Sequence, residues 1–103
     1  MPRASSDALA SLRLHLDRAI QACAKGWEDW VILVEASAFV AEGMAKDLAP
    51  TAADDAVPDE SRFPAWMAAR AYRRVAGLCR GAAALPSDLA LPILQEAVTR
   101  LGE

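Results

Sequence analysis

The sequence predicts an all-α fold: a small antiparallel bundle of three long helices and a short C-terminal helix, completed by dimerisation. Three observations point to it. Alanine is the commonest residue, while the β-branched and aromatic residues that fill pleated sheets are sparse, so local propensity favours helix. Glycines and prolines fall mostly at segment ends. The second segment is apolar almost all round, which is the pattern of a helix buried by several neighbours. A chain of 103 residues supports one hydrophobic core, so a single domain over 1–103 is expected.

The first helix is expected from about Asp7 to Lys25. Ser5-Ser6-Asp7 offers an N-cap, and Leu9, Leu12, Leu16, Ile20 and Cys23 follow at alternating spacings of three and four, which makes one stripe. Lys25-Gly26 closes the helix as a cation in the last turn followed by a C-terminal glycine.

The second helix is expected from Trp27 to about Leu48. At 100° per residue, Glu28, Glu35, Glu42 and Lys46 share one narrow sector. Most of the remaining circumference is apolar or small, including Trp27, Trp30, Val31, Val34, Ala38, Ala41 and Met44. Its glutamate stripe and charged ends are too polar for a membrane span. From Ala49 to Ser61, Pro50 and Pro58 together with Asp54, Asp55, Asp59 and Glu60 read as an acidic surface loop.

Ser61 is expected to cap a third helix over Arg62–Ala84, with Pro64 in its first turn. Its apolar face reads as Phe63, Met67, Ala71, Val75, Leu78 and Ala82, flanked by Tyr72 and Cys79. The last helix starts either near Leu91, with Pro92 in its first turn, or at Ser87, with Pro92 inside it. Leu94, Ala97, Val98 and Leu101 form its face. Short links between the first two helices and between the last two predict antiparallel neighbours.

The formal charge of −3 and a pI near 5.1 argue against bulk attraction to nucleic acid or anionic membrane. The first residues have no apolar run behind them, so no secretory signal is expected, and the chain reads as cytoplasmic. Cys23 and Cys79 stand alone, without the spacing or histidine partners of a zinc site, and read as two buried thiols. Arginine is preferred to lysine and alanine is abundant, which points to a GC-rich bacterial source.

No catalytic set is visible. His15, the single histidine, lies at the edge of the first helix's apolar stripe and reads as a boundary residue. No nucleotide-binding, hydrolase or zinc-protease motif occurs. Glu35 and Glu42 project from one helix face, but no Glu-x-x-His pair accompanies them as in di-iron bundles. No cofactor or metal is expected, and the glutamates read as solvated or paired with arginines.

The third helix carries the informative surface. Arg62, Arg70, Arg73 and Arg80 fall opposite its apolar face, Arg74 lies nearer the border, and Trp66 projects into the same sector. An indole among guanidinium groups can stack on them, on a partner protein or on a base. The favoured expectation is a non-enzymatic protein-interaction module, an adaptor, chaperone-like or regulatory protein, binding its partner through Arg62, Trp66, Arg70, Arg73 and Arg80. Surplus apolar surface at Leu14, Trp27, Trp30 and Val34 predicts a homodimer. The alternatives are a nucleic-acid-associated regulator using the same face, and an enzyme or ligand-binding bundle with a site between subunits around Glu35 and Glu42.

Overall fold

The computed structural model describes the backbone of residues 2–102 and the side chains of residues 8–101. Four helices make up nearly all of it: α1 (Pro2–Lys25), α2 (Trp30–Ala53), α3 (Asp59–Ala83) and α4 (Ser87–Gly102). No strand occurs among the described residues. α1 and α3 each pack on both α2 and α4, while among the described residues the backbones of the diagonal pairs α1–α3 and α2–α4 stay apart. The helices therefore form a closed ring of four, elongated to 48 × 23 × 20 Å.

α1 ends as its sequence dictates. Gly26 adopts φ +70°, its N–H donates to the Cys23 carbonyl at 3.2 Å, and the Trp27 N–H donates to the Ala22 carbonyl at 3.0 Å. These two bonds satisfy carbonyls that the last turn leaves open, in a geometry that needs a residue with positive φ. The helix begins at Pro2, upstream of Asp7; the Ser5-Ser6-Asp7 cluster falls among the residues whose side chains lie outside the described ones.

The prolines interrupt less than their sequence context suggests. α2 starts at Trp30, after a turn over 27–29, and runs through Pro50 to Ala53. α3 starts at Asp59, so the acidic loop narrows from 49–61 to residues 54–58. The carbonyl of Pro58 accepts from the Ser61 and Arg62 N–H groups at 3.0 and 2.9 Å. Ser61 thus lies inside the first turn of α3 and is not its cap. α4 starts at Ser87 in the same manner, with the Pro86 carbonyl accepting from Leu89 and Ala90 at 3.0 and 2.9 Å. Pro64 and Pro92 both stand at the sixth helical position, beyond the first turn. A helical proline withholds an N–H from the carbonyl four residues before it. Those residues are Lys46, Glu60 and Asp88, all exposed as are the three prolines themselves, so water can serve the carbonyls the prolines leave.

One hydrophobic cluster draws on all four helices. Leu12 and Leu16 of α1 and Leu94 of α4 are its largest fully buried side chains, in keeping with the stripes of those helices. α2 and α3 contribute small residues. The buried face of α2 is Val34, Ser37, Ala38, Ala41 and Ala45; that of α3 is Ala65, Ala69, Val75, Ala76, Cys79 and Ala82. The α2–α3 contact is the most extensive in the ring. This corrects the expected face of α3: Phe63 and Met67 point outward, because the alanine row and not the large apolar row meets α2. The α2 helix likewise is not enclosed on all sides, and Ile32 and Phe39 are 68% and 75% exposed. Ser37 is the one buried polar residue among those described, and its hydroxyl donates to the Leu33 carbonyl at 2.9 Å.

The glycines divide by conformation. Gly26→Ala forces a side chain into the left-handed region and should lower stability by about 1–2 kcal/mol. Gly77→Ala lies mid-helix with ordinary φ and open space at its Cβ position; it should raise stability by about 0.5–1 kcal/mol. Urea unfolding of the two variants reads both signs.

Candidate functional site

The outward face of α3 is set by its inward one. With Ala65, Ala69 and Ala76 turned to the interior, the helix period places Phe63, Trp66, Arg70, Arg73 and Arg74 in solvent. Phe63, Trp66 and Met67 are 61%, 44% and 48% exposed. The Phe63 and Trp66 rings stack with centroids 6.1 Å apart and 25° between planes. The Arg70 guanidinium lies 5.5 Å from the Trp66 ring centroid, within cation–π range.

The five positions expected to bind a partner separate into two groups. Trp66, Arg70 and Arg73 lie open on this face. Arg62 and Arg80 are committed within the chain. Arg62 pairs with Asp55 at 3.0 Å and also with Asp59. Arg80 grips Glu42 of α2 with both arms of its fork, Nε to Oε1 at 3.0 Å and Nη2 to Oε2 at 2.7 Å. That bidentate pair takes one of the two glutamates considered as metal ligands; Glu35 is exposed. Among the described residues no group of three His, Cys, Asp or Glu side chains could hold a metal ion.

The four positions expected to mediate self-association also divide. Leu14 and Trp27 are exposed, and the Lys25 ammonium sits 4.8 Å from the Trp27 ring centroid. Val34, however, is fully buried in this chain's own core, and Trp30 packs against that core. Both share the α2 face of Ser37, Ala38 and Ala41; Val34 is enclosed there, while Trp30 is half-buried at its edge. Ile32 and Phe39, on the opposite side, are the apolar residues that α2 leaves outward. Phe63 and Met67 are the positions that periodicity assigns to the wrong face of α3; the row of alanines at 65, 69 and 76 is the signal that its small side faces inward.

The potential nucleophiles are quiet. Cys23 and Cys79 are free, buried thiols, and the Cys23 thiol donates to the Ser87 carbonyl at 3.2 Å, tying α1 to the start of α4. Burial pushes the Cys79 thiol up to about 11 against an opposing pull from Arg80, and burial also raises Cys23. A thiol held protonated is a poor nucleophile. His15 is engaged by its own helix, with Nδ1 2.7 Å from the Ser11 carbonyl. No family model, no curated protein and no solved structure matches this chain.

Cys79 makes stability pH-dependent. Its folded value lies above the ordinary thiol value of 9.0, so the native state holds the proton more tightly, and the stabilisation is complete below pH 9 and is lost as pH rises towards 11. Cys79→Ala should flatten that part of the stability profile, measured by urea unfolding at successive pH values. In the unmodified chain at pH 8, a disulfide reagent should label Cys79 only once the protein is unfolded. The Glu42–Arg80 pair is partly exposed, so a double-mutant cycle should give a coupling of at most about 1 kcal/mol, shrinking in molar salt.

Proposed function

We propose that this chain is a small, non-enzymatic helical interaction module of the cytoplasm that self-associates and docks a protein partner on the aromatic end of α3. The carrying observation is the stacked pair Phe63–Trp66, bordered by Met67 and capped by Arg70, standing in solvent on a helix that had alanines to bury in its place. Aromatic residues with arginine are the composition of interface hot spots. Exposed rings of this size on a single chain favour a contact outside it. Arg62 and Arg80 are neutralised by carboxylates of the same chain, which weakens the case for a phosphate backbone and leaves a protein as the better-supported partner. No helix among the described residues is long and apolar enough to cross a membrane.

Within the module, the short links and the ties Arg13–Leu101, Cys23–Ser87 and Glu42–Arg80 support antiparallel neighbours in a single domain. Self-association uses the outer side of α2, where Ile32 and Phe39 stand two turns apart, with a two-fold dimer as the simplest arrangement.

The two contacts are tested separately. Light scattering at micromolar concentration should give a dimer mass for the unmodified chain and a monomer mass for Ile32→Asp combined with Phe39→Asp, at equal helicity by circular dichroism. A monomeric unmodified chain rejects self-association. For the α3 contact, proteins from the native host captured by the immobilised chain should be lost with Trp66→Ala and kept with Leu14→Ala. Capture that survives Trp66→Ala rejects the α3 site, and capture that is nuclease-sensitive and falls steeply with salt assigns the face to nucleic acid instead.

A further inference from the structure

A cavity of about 450 Å³ opens between α1, the middle of α3 and the last turn of α4. Leu9, Met67, Ala71 and Leu101 give it an apolar lining, with the Tyr72 ring beside them, and Arg70, Arg74 and Arg100 also border it. No carboxylate is among its described lining residues, although the whole chain carries a net charge of −3. Among the described lining residues the charge is thus positive, opposite to the net charge of the chain. A fourth guanidinium, Arg13, donates to the Leu101 carbonyl at 3.2 Å and pulls the Tyr72 hydroxyl down against the rise that burial gives it.

The three bordering arginines are not equivalent. Arg100 pairs with Glu96 at 3.3 Å, and Arg70 lies over Trp66. Arg74 has no charged partner among the described residues and is exposed. One open guanidinium beside an apolar hollow matches one anionic head on an aliphatic tail, since a carboxylate takes the guanidinium fork bidentately. The volume lies at the lower end of the roughly 300–1,000 Å³ of small-molecule sites, which suits a tail of medium length.

We propose that this cavity binds an aliphatic carboxylate of medium chain length, the tail lying on Leu9, Met67, Ala71 and Leu101 and the head meeting Arg74. The cavity adjoins the protein contact proposed above and shares Met67 and Arg70 with it, but neither Phe63 nor Trp66 lines it, so Trp66→Ala tells the two apart.

Calorimetric titration of the full chain with sodium decanoate, kept below its micelle-forming concentration, tests it. Saturable one-to-one binding is expected, at least about tenfold weaker for decanol, the loss of one charge-assisted contact, and undetectable for acetate. Arg74→Gln should weaken decanoate binding at least about tenfold. Met67→Asp, which sets a carboxylate in the lining, should abolish it. The neighbouring Arg73→Gln and the interface variant Trp66→Ala should bind as the unmodified chain does. Because residues 74 and 73 are both exposed, both variants are expected to fold, with helicity as the check. The proposal is overturned by absence of saturable decanoate binding, by equal binding of decanol, or by Arg74→Gln binding undiminished or no more weakly than Arg73→Gln. Retention of decanoate binding by Trp66→Ala alongside loss of partner capture separates the two sites.

Discussion

The contact between α2 and α3 fixes the rest of the molecule. Each helix presents a row of alanines with a few slightly larger residues, Val34 and Ser37 on one and Val75 and Cys79 on the other. Small side chains contribute little transfer free energy individually, but they let two backbones approach closely and gain dispersion contacts along their whole length. The bulk that such a contact lacks comes from the other side of the ring, where Leu12, Leu16 and Leu94 are fully buried at about 1.5–3 kcal/mol each. Once α2 and α3 have turned their alanines inward, their large apolar residues divide between the edge of the core, where Trp30, Leu33, Met44, Tyr72 and Leu78 pack, and the outer surface. Ile32, Phe39, Phe63, Trp66 and Met67 fall on the outer side and are exposed.

The helix ends follow a second constraint, the supply of hydrogen bonds to terminal backbone groups. α1 stops where Gly26 can turn left-handed and return two N–H groups to the last carbonyls. α3 and α4 start on the carbonyls of Pro58 and Pro86 and gain favourable charge in their first turns from Asp59, Glu60 and Asp88. Each then carries a second proline six residues on, at Pro64 and Pro92. The two initiation segments are physically the same device used twice. It is tolerated because each proline faces water.

Electrostatics then sort the surface that packing has exposed. Arg62 and Arg80 are taken by Asp55, Asp59 and Glu42 and serve the fold. Arg70 is held on the Trp66 ring, while Arg73 and Arg74 stay open. A patch that looks uniformly basic along the sequence therefore resolves into structural cations, one that stacks, and two that face solvent. The aromatic ridge and the arginine-bordered cavity lie on neighbouring parts of α3, and the two ligands proposed for them differ in kind, one an apolar protein surface and the other a small amphipathic anion.

The sequence by itself determined the helical class, the stripes of α1 and α4, the stop at Gly26, the buried thiols and the cationic character of α3. These follow from local propensity, capping and short-range periodicity, which depend on residues within a turn or two of each other. Tertiary structure decided the rotation of α2 and α3, and with it the fate of Val34, Trp30, Phe63 and Met67. It also decided which prolines a helix could carry and which arginines stayed free. Such outcomes turn on what a neighbouring helix presents. Periodicity identifies two candidate faces on a helix rich in both alanine and large apolar residues, and only the partner's shape selects the small one for the interior.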